Sequence, residues 1–441
     1  MPLSYQLPAE AEIWEGHLIF KVKSQYRSAC FAERIQLPSV EAALGGLKAR
    51  KLSKIFPHQA PPATSYNHLG QELVDLSLIY SLEYDPQLFS INAAVSLLNR
   101  LPELEYVEPW FVNELFYQPN DFFADTTDGL PGMWHLGAIR AQEAWDIHRD
   151  DSTVILGIID SGTSFLHPDM QDNLYLNLAD PIDGIDNDQD GYIDNYRGWD
   201  FGGDSLGEAG DNDASTIAPW HGLGVAAVAA ADTDNDGVGI AGTGFNCRYL
   251  PIKAAPESHI GGIYYGYQGL VYAVNQGCQV VNLSWGSPVR TRFGEDAVNF
   301  AAINKQAAVI VAAGNSNSDI RFYPAAFDRS ISVAISGRQD SVCCSTTYNY
   351  SIDMSAPGEF IVSLFDNDAY LGLWQGTSIS APIVAGAVAL TLGKYPQYTG
   401  VQAAQKVRVS AQSIPHASFQ LDKVGKGRLD MFNAIIPDPT P

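Results

Sequence analysis

The chain is poor in positive charge: 26 Lys and Arg stand against 50 Asp and Glu, a formal net charge of −24. A nucleic acid or an anionic membrane needs a basic face to displace its counterions, so neither is an expected partner. Cysteine is scarce as well, and five in 441 residues do not make a disulfide scaffold. Cys247 and Cys278 each precede an apolar run, RYLPIK and QVVNLSW, a placement that leaves room for one bridge between neighbouring strand ends. Cys343 and Cys344 are adjacent and read as two partly buried thiols. No run of about 18 apolar residues occurs, so no membrane span is expected. The opening MPLSYQLPAE has neither a basic nor an apolar stretch and does not read as a signal peptide.

What is present is the composition of a folded protein, 46% hydrophobic and 17% charged, long enough for two domains of unequal size. Up to about Phe116 the pieces HLIFKVK, SVEAALGGLKARKL, SLIYSLEY, SINAAVSLLNRL and EYVEP alternate strand-like and helix-like. That β-α-β-α-β order suits a small antiparallel sheet with two helices on one face, an α+β arrangement. From Ala141 the pattern changes. VILGIID, RYLPIKA, QVVNLSW, AVIVAAG and SISVAIS are continuous apolar runs, as expected of parallel strands covered on both faces. LGVAAVAAA and SAPIVAGAVALTL are apolar nearly all round and read as buried helices. The second part is therefore expected to be a doubly wound α/β domain with helices on both faces of a mostly parallel sheet.

Four residues stand where such sheets carry chemistry. Asp160 ends the strand VILGIID, His221 opens a buried helix, Asn315 ends AVIVAAGN, and Ser378 opens the helix that continues as SAPIVAGAVAL. Each alone has an ordinary structural explanation: a turn former, a helix-start histidine, a left-handed Asn, an N-cap. Together they run Asp, His, Asn, Ser, and the order Asp…His…Ser is one of the known orders of a nucleophilic triad.

On Asp160-Ser161-Gly162, His221-Gly222, Ala313-Gly314-Asn315 and Gly376-Thr377-Ser378 with Ala381-Pro382, the chain resembles the subtilisin-like serine proteases, the subtilases. The resemblance implies Ser378 as nucleophile, His221 as general base then acid, Asp160 as the group fixing the imidazole, and Asn315 with the Ser378 N–H as oxyanion hole. It further implies a substrate-binding edge at Ser284, Trp285 and Gly286, with Ala312, Ala313 and Gly314 as the opposite wall of the S1 pocket. One departure matters. After His221-Gly222 the family usually has Thr then His, whereas this chain has Leu223 then Gly224.

Acid is concentrated in one stretch: from Asp180 to Asp236 there are 14 Asp or Glu and one basic residue, Arg197. Asp186, Asp188 and Asp190 alternate before Gly191, a spacing that wraps a hard cation, although Arg197 at the twelfth position excludes an EF-hand. A solvated acidic loop is the alternative. For a second site the resemblance is to thermitase-like subtilases, and it implies calcium held by Asp121, Asp169 in His167-Pro168-Asp169, and Asp236.

The same resemblance implies residues 1–116 as an inhibitory, ferredoxin-like pro-domain, 117–436 as the peptidase domain and 437–441 as a tail. Self-cleavage is expected between Phe116 and Tyr117, with Phe116 in S1. The expected function is a secreted, extracellular endopeptidase using calcium, acting on peptides or proteins and restrained by its own pro-domain. A peptide cyclase or transpeptidase, or a non-catalytic interaction protein on the same fold, is the alternative.

Overall fold

The structure is a computed structural model describing residues 13–64, 66, 73–111, 119–124, 132–149, 152–217, 220–235, 237, 239–340, 345–365, 372–414 and 423–437. The chain divides into two units, Met1–Leu115 and Phe116–Pro441.

The first unit runs β1 (Ile13–Val22), α1 (Pro38–Gly46), β2 (Lys51–Lys54), β3 (Ile79–Glu83), α2 (Ile91–Leu98), β4 (Leu104–Phe111). Its antiparallel sheet has the order β2-β3-β1-β4. Alternate residues of β1 (Leu18, Phe20, Val22) share one core with Tyr80 and Leu82 of β3 and with Val40, Val95 and Leu98 from the two helices. Strand β2 corrects the sequence expectation, in which its first two residues, Lys51 and Leu52, close the helix-like piece SVEAALGGLKARKL. Gly45 and Gly46 give that helix no side chains to continue on, and Lys51–Lys54 instead pairs as an edge strand, where lysines discourage further pairing.

The second unit begins with α3 (Trp134–Ala138), α4 (Ala141–Ile147), β5 (Ile155–Asp160), β6 (Trp199–Asp200), α5 (Trp220–Ala230), β7 (Arg248–Lys253), α6 (Gly266–Asn275), β8 (Val280–Leu283) and α7 (Arg292–Asn299). It continues through β9 (Ala308–Ala312), β10 (Ser330–Ser336), β11 (Met354–Pro357), the hairpin β12 (Ile361–Ser363) and β13 (Gly372–Trp374), α8 (Thr377–Lys394), α9 (Gly400–Val409) and α10 (Met431–Ile435). Seven parallel strands take the order β11-β10-β9-β8-β5-β7-β6.

Helices cover both faces because the strands are apolar on both. Leu156, Ile158, Val280 and Ile310 face α5, α8 and α9, while Ile159, Val281, Leu283 and Val309 face α6 and α7. Helix α8 is long and apolar enough to cross a bilayer by length and composition, but it lies in the core, with fifteen of its residues buried. The order also separates the two cysteines: β5 lies between β7 and β8, so Cys247 and Cys278 start strands two spacings, about 10 Å, apart. That exceeds the reach of a disulfide, and both are buried thiols. Cys343 and Cys344 lie outside the described residues.

From β5 the chain goes first to the edge strand β6 and returns to β7 between them, then crosses to the other side of β5 and builds outward through β8 to β11. The reversal lies between β5 and β8, and in open α/β sheets the crevice beyond the carboxyl ends of such a pair is where ligands bind.

Candidate active site

Asp160 is the last residue of β5, and its register neighbour past the end of β8 is Ser284, one position after the pair Ile159 and Leu283. Adjacent strands are about 4.8 Å apart, so whatever these two residues hold is brought together. Asp160 holds His221: its Oδ1 lies 2.7 Å from His221 Nδ1 and also accepts from the Ser161 N–H at 2.7 Å. Asp160 is buried while the imidazole, in the first turn of α5, remains partly open. Burial alone would lower the imidazole pKa. The Asp160 charge and hydrogen bond outweigh it, and the pKa lies above the ordinary histidine value.

Ser284 holds Ser378. The Ser284 hydroxyl donates to the Ser378 carbonyl at 2.8 Å, and the Ser378 hydroxyl donates to the Ser284 carbonyl at 3.3 Å. The sequence explains why that helical carbonyl is available. Its usual donor would be the N–H of residue 382, four positions on, and Pro382 has none. Gly376, at φ 145°, makes the turn that delivers Ser378 to the start of α8.

Asn315 is pinned from the same turn. Its Oδ1 accepts from the Thr377 N–H at 2.9 Å and the Thr377 hydroxyl at 3.0 Å, which aims the amide NH2 the other way. Of the expected pocket walls, Ser284, Trp285, Gly286, Ala312 and Gly314 line a cleft of about 190 Å³ together with Asn315 and Ser378. Ala313 does not line it; it packs with Ala334, Ile352 and Val424, since successive residues of an extended chain face opposite ways. Phe322 and Thr377 complete the walls; Thr377 belongs to the Gly376-Thr377-Ser378 motif, whereas nothing in the sequence around Phe322 signalled its role. Trp285 ties the edge to β5 by donating to the Ile159 carbonyl at 3.0 Å.

Two acidic assemblies share no residue with this cleft. In the first, Asp169 Oδ1 and Oδ2 accept from Asn235 Nδ2 (2.8 Å) and the Ile240 N–H (2.9 Å), and Asp121 Oδ2 accepts from the Asp234 N–H (3.2 Å). Among the described residues, nothing donates a hydrogen bond to the buried oxygens Asp121 Oδ1 and Asn235 Oδ1. Burial pushes Asp169 up to about 8 and Asp121 up to about 6, so without a countercharge these carboxylates resist ionising. Orphaned buried oxygens beside buried carboxylates fit a hard cation. Asn235 was not foreseen, and Asp236 lies outside the described residues.

In the second assembly, Asp186 and Asp188 bring ligand oxygens within 4.8 Å of one another and of Asp180, which sequence spacing did not select. Asp190 is not in that group among the described residues; it accepts instead from Asn195 Nδ2 at 2.9 Å and from Gln276 Nε2. The alternation before Gly191 therefore supplies two of the three oxygens, and the third comes from the residue that closes the loop, through Asn187 N–H to Asp180 Oδ1 at 2.7 Å.

The expected cleavage pair, Phe116 and Tyr117, lies outside the described residues.

Comparison with known proteins bears on this geometry. Residues 151–429 match the model of the subtilase family. Thermitase of Thermoactinomyces vulgaris is 30% identical over 324 residues, covering 72% of this chain and 99% of the relative. A thermophilic serine proteinase of Bacillus sp. (strain AK1) is 29% identical over 347 residues, covering 78% and 76% of the two chains. A solved structure of a protease from Pseudoalteromonas arctica PAMC 21717 superposes with a TM-score of 0.58 at 22% identity, over 72% of this chain and 99% of that one, a likeness of fold. The chain belongs to the subtilase family, the subtilisin-like serine proteases, and its most informative relatives are thermitase-like.

Proposed function

We propose that this chain is a serine endopeptidase in which Ser378 is the nucleophile, His221 the proton carrier and Asp160 its anchor. The observation that carries the reading is the 2.7 Å Asp160–His221 contact at one strand end beside the Ser284–Ser378 pair at the next. In the reaction, Ser378 Oγ attacks the scissile carbonyl while His221 Nε2 takes the hydroxyl proton and then passes it to the departing amine. Water, deprotonated in turn by His221, releases the acyl group and returns the proton to Ser378. The developing oxyanion would be met by the Asn315 amide and the Ser378 N–H. Among the described residues Ser284–Gly286 take part in no strand pairing, between the end of β8 at Leu283 and the Ser287–Tyr323 bridge, and such an edge along the cleft suits an extended peptide added as a strand.

Asn315→Ala tests the oxyanion role. It should lower kcat on the order of 10²–10³-fold, the loss known for the equivalent donor in subtilisin itself, with KM little changed. An unaltered kcat would remove Asn315 from the mechanism.

Calcium is the cation proposed for Asp121, Asp169 and Asn235, and for Asp180, Asp186 and Asp188. Bound there it would neutralise the buried carboxylates and fasten the loops around 121, 169 and 235 to one another. The second cluster, with Asp180 buried, Asp186 half-buried and Asp188 exposed, would fill at the millimolar calcium found outside cells, which fits an extracellular site of action. A ligand bound only by the folded state at about 1,000 times its Kd stabilises by about 4 kcal/mol. A calcium chelator should therefore lower Tm by roughly 5–15 °C and speed self-digestion. Asp169→Asn should lose most of that sensitivity. A melting curve indifferent to chelator would show that the acidic loops are only solvated.

The first unit is proposed as the inhibitory pro-domain, released by cleavage after Phe116. Its βαββαβ order and the run EYVEPWFVNELF support this.

A further inference from the structure

The departure at residues 223 and 224 has a physical counterpart. The first turn of α5, which carries His221, is wedged between two neighbours and has a glycine against each. A Cβ on Gly222 would overlap the Gly162 carbonyl, just beyond Asp160. A Cβ on Gly224 would lie 2.5 Å from Cζ2 and 2.8 Å from Cε2 of the Trp374 indole. Residues two apart on a helix point to nearly opposite sides, so the turn is gripped between the end of β5 and the hairpin β12–β13.

Both strands of that hairpin reach the same spot. Trp374 on β13 covers Gly224, and Ser363 on β12 donates to the Gly224 carbonyl at 2.7 Å. The indole also meets the imidazole: the ring centroids of His221 and Trp374 lie 6.2 Å apart at 67°, edge to face. Four residues further along, the same segment places Ser378 at the start of α8. One short stretch, Trp374 to Ser378, thus touches the base and supplies the nucleophile.

We propose that Trp374 is a positioning residue for His221: its ring occupies the slot left empty by Gly224 and holds the imidazole between the Asp160 carboxylate and Ser378. In this chain the indole stands where a side chain on residue 224 would have to go, so residue 224 must stay Gly as long as residue 374 is Trp. The inference rests on the triad reading above and adds a residue to it.

The test is a double-mutant cycle in the full-length protein, read by kcat, KM and the rate of Ser378 labelling by a fluorophosphonate. Trp374→Ala should lower kcat and the labelling rate together by roughly 10- to 100-fold, the cost of a catalytic group displaced by a fraction of about 1 Å, with KM nearly constant. Trp374→Phe should restore most of the loss. Gly224→Ala should reproduce it in the parent and add almost nothing to Trp374→Ala, because the collision it causes is with the indole. Melting temperatures, together with the Trp374→Phe variant, separate misplacement from misfolding. Unchanged kcat in Trp374→Ala, a change confined to KM, or fully additive losses from the two substitutions would overturn the proposal. A parent protein that neither labels nor cleaves peptides would overturn the peptidase reading instead.

Discussion

Ser378→Ala should leave a folded protein with peptidase activity reduced on the order of 10⁶-fold, the scale set by subtilisin, a member of the same family. The argument is local. Ser378 is half-buried and, among the described residues, its hydroxyl makes one bond, a long one of 3.3 Å to the Ser284 carbonyl, so its removal costs little packing. The clamp on the turn runs through the Ser378 main-chain carbonyl, which the substitution keeps. Tm should therefore move little while turnover disappears. If the first unit is removed by the chain's own activity, the same variant stays uncut at its full 47.9 kDa. Normal processing of the purified variant, or activity equal to the parent's, would refute the nucleophile assignment. N-terminal sequencing of the active parent locates the cut relative to Phe116 and Tyr117.

Asp160→Asn is expected to cost about 10⁴-fold in kcat with the geometry intact. An amide at this place can donate to His221 Nδ1 and so favour the tautomer with its proton on Nε2, where it cannot accept one from Ser378. The substitution also has a pH signature. Catalysis needs the neutral imidazole, so kcat/KM falls as pH drops through the His221 pKa, and in the parent that limb lies above the ordinary histidine value of about 6.5. Burial pulls this pKa down, and the charge and hydrogen bond of Asp160 push it up past that value. Without the carboxylate only burial remains, and the limb of the residual activity should move to lower pH. A limb that stayed in place would mean that Asp160 is not what sets the base.

Much of this site could be read before any coordinates, for a reason visible in the residues. Parallel strands buried on both faces are written as unbroken apolar runs, and a doubly wound sheet places chemistry beyond their carboxyl ends; Asp160 and Asn315 advertise themselves by ending such runs. Helices α5 and α8 are equally legible from their all-round Ala, Val and Leu. What escaped depends on contacts between distant positions or on elements too short for periodicity. The four residues of β2 and the two of β6 carry no pattern of their own. Phe322 enters the cleft from a loop, Asp180 joins its cluster from six residues ahead of the alternating run, and Ala313 was assigned to a wall from which strand alternation turns it away. The meeting of Gly224 with Trp374 joins residues far apart in the chain, and only packing reveals it.

The measurement that bears most directly on the whole account is covalent labelling of the active protein with a fluorophosphonate, followed by mass mapping of the modified peptide. The account predicts one adduct per chain, on Ser378, with peptidase activity falling in proportion to its occupancy and no adduct in His221→Ala on the same timescale. Full labelling of Ser378 with activity intact, or peptidase activity abolished by an adduct on a different residue, would contradict it.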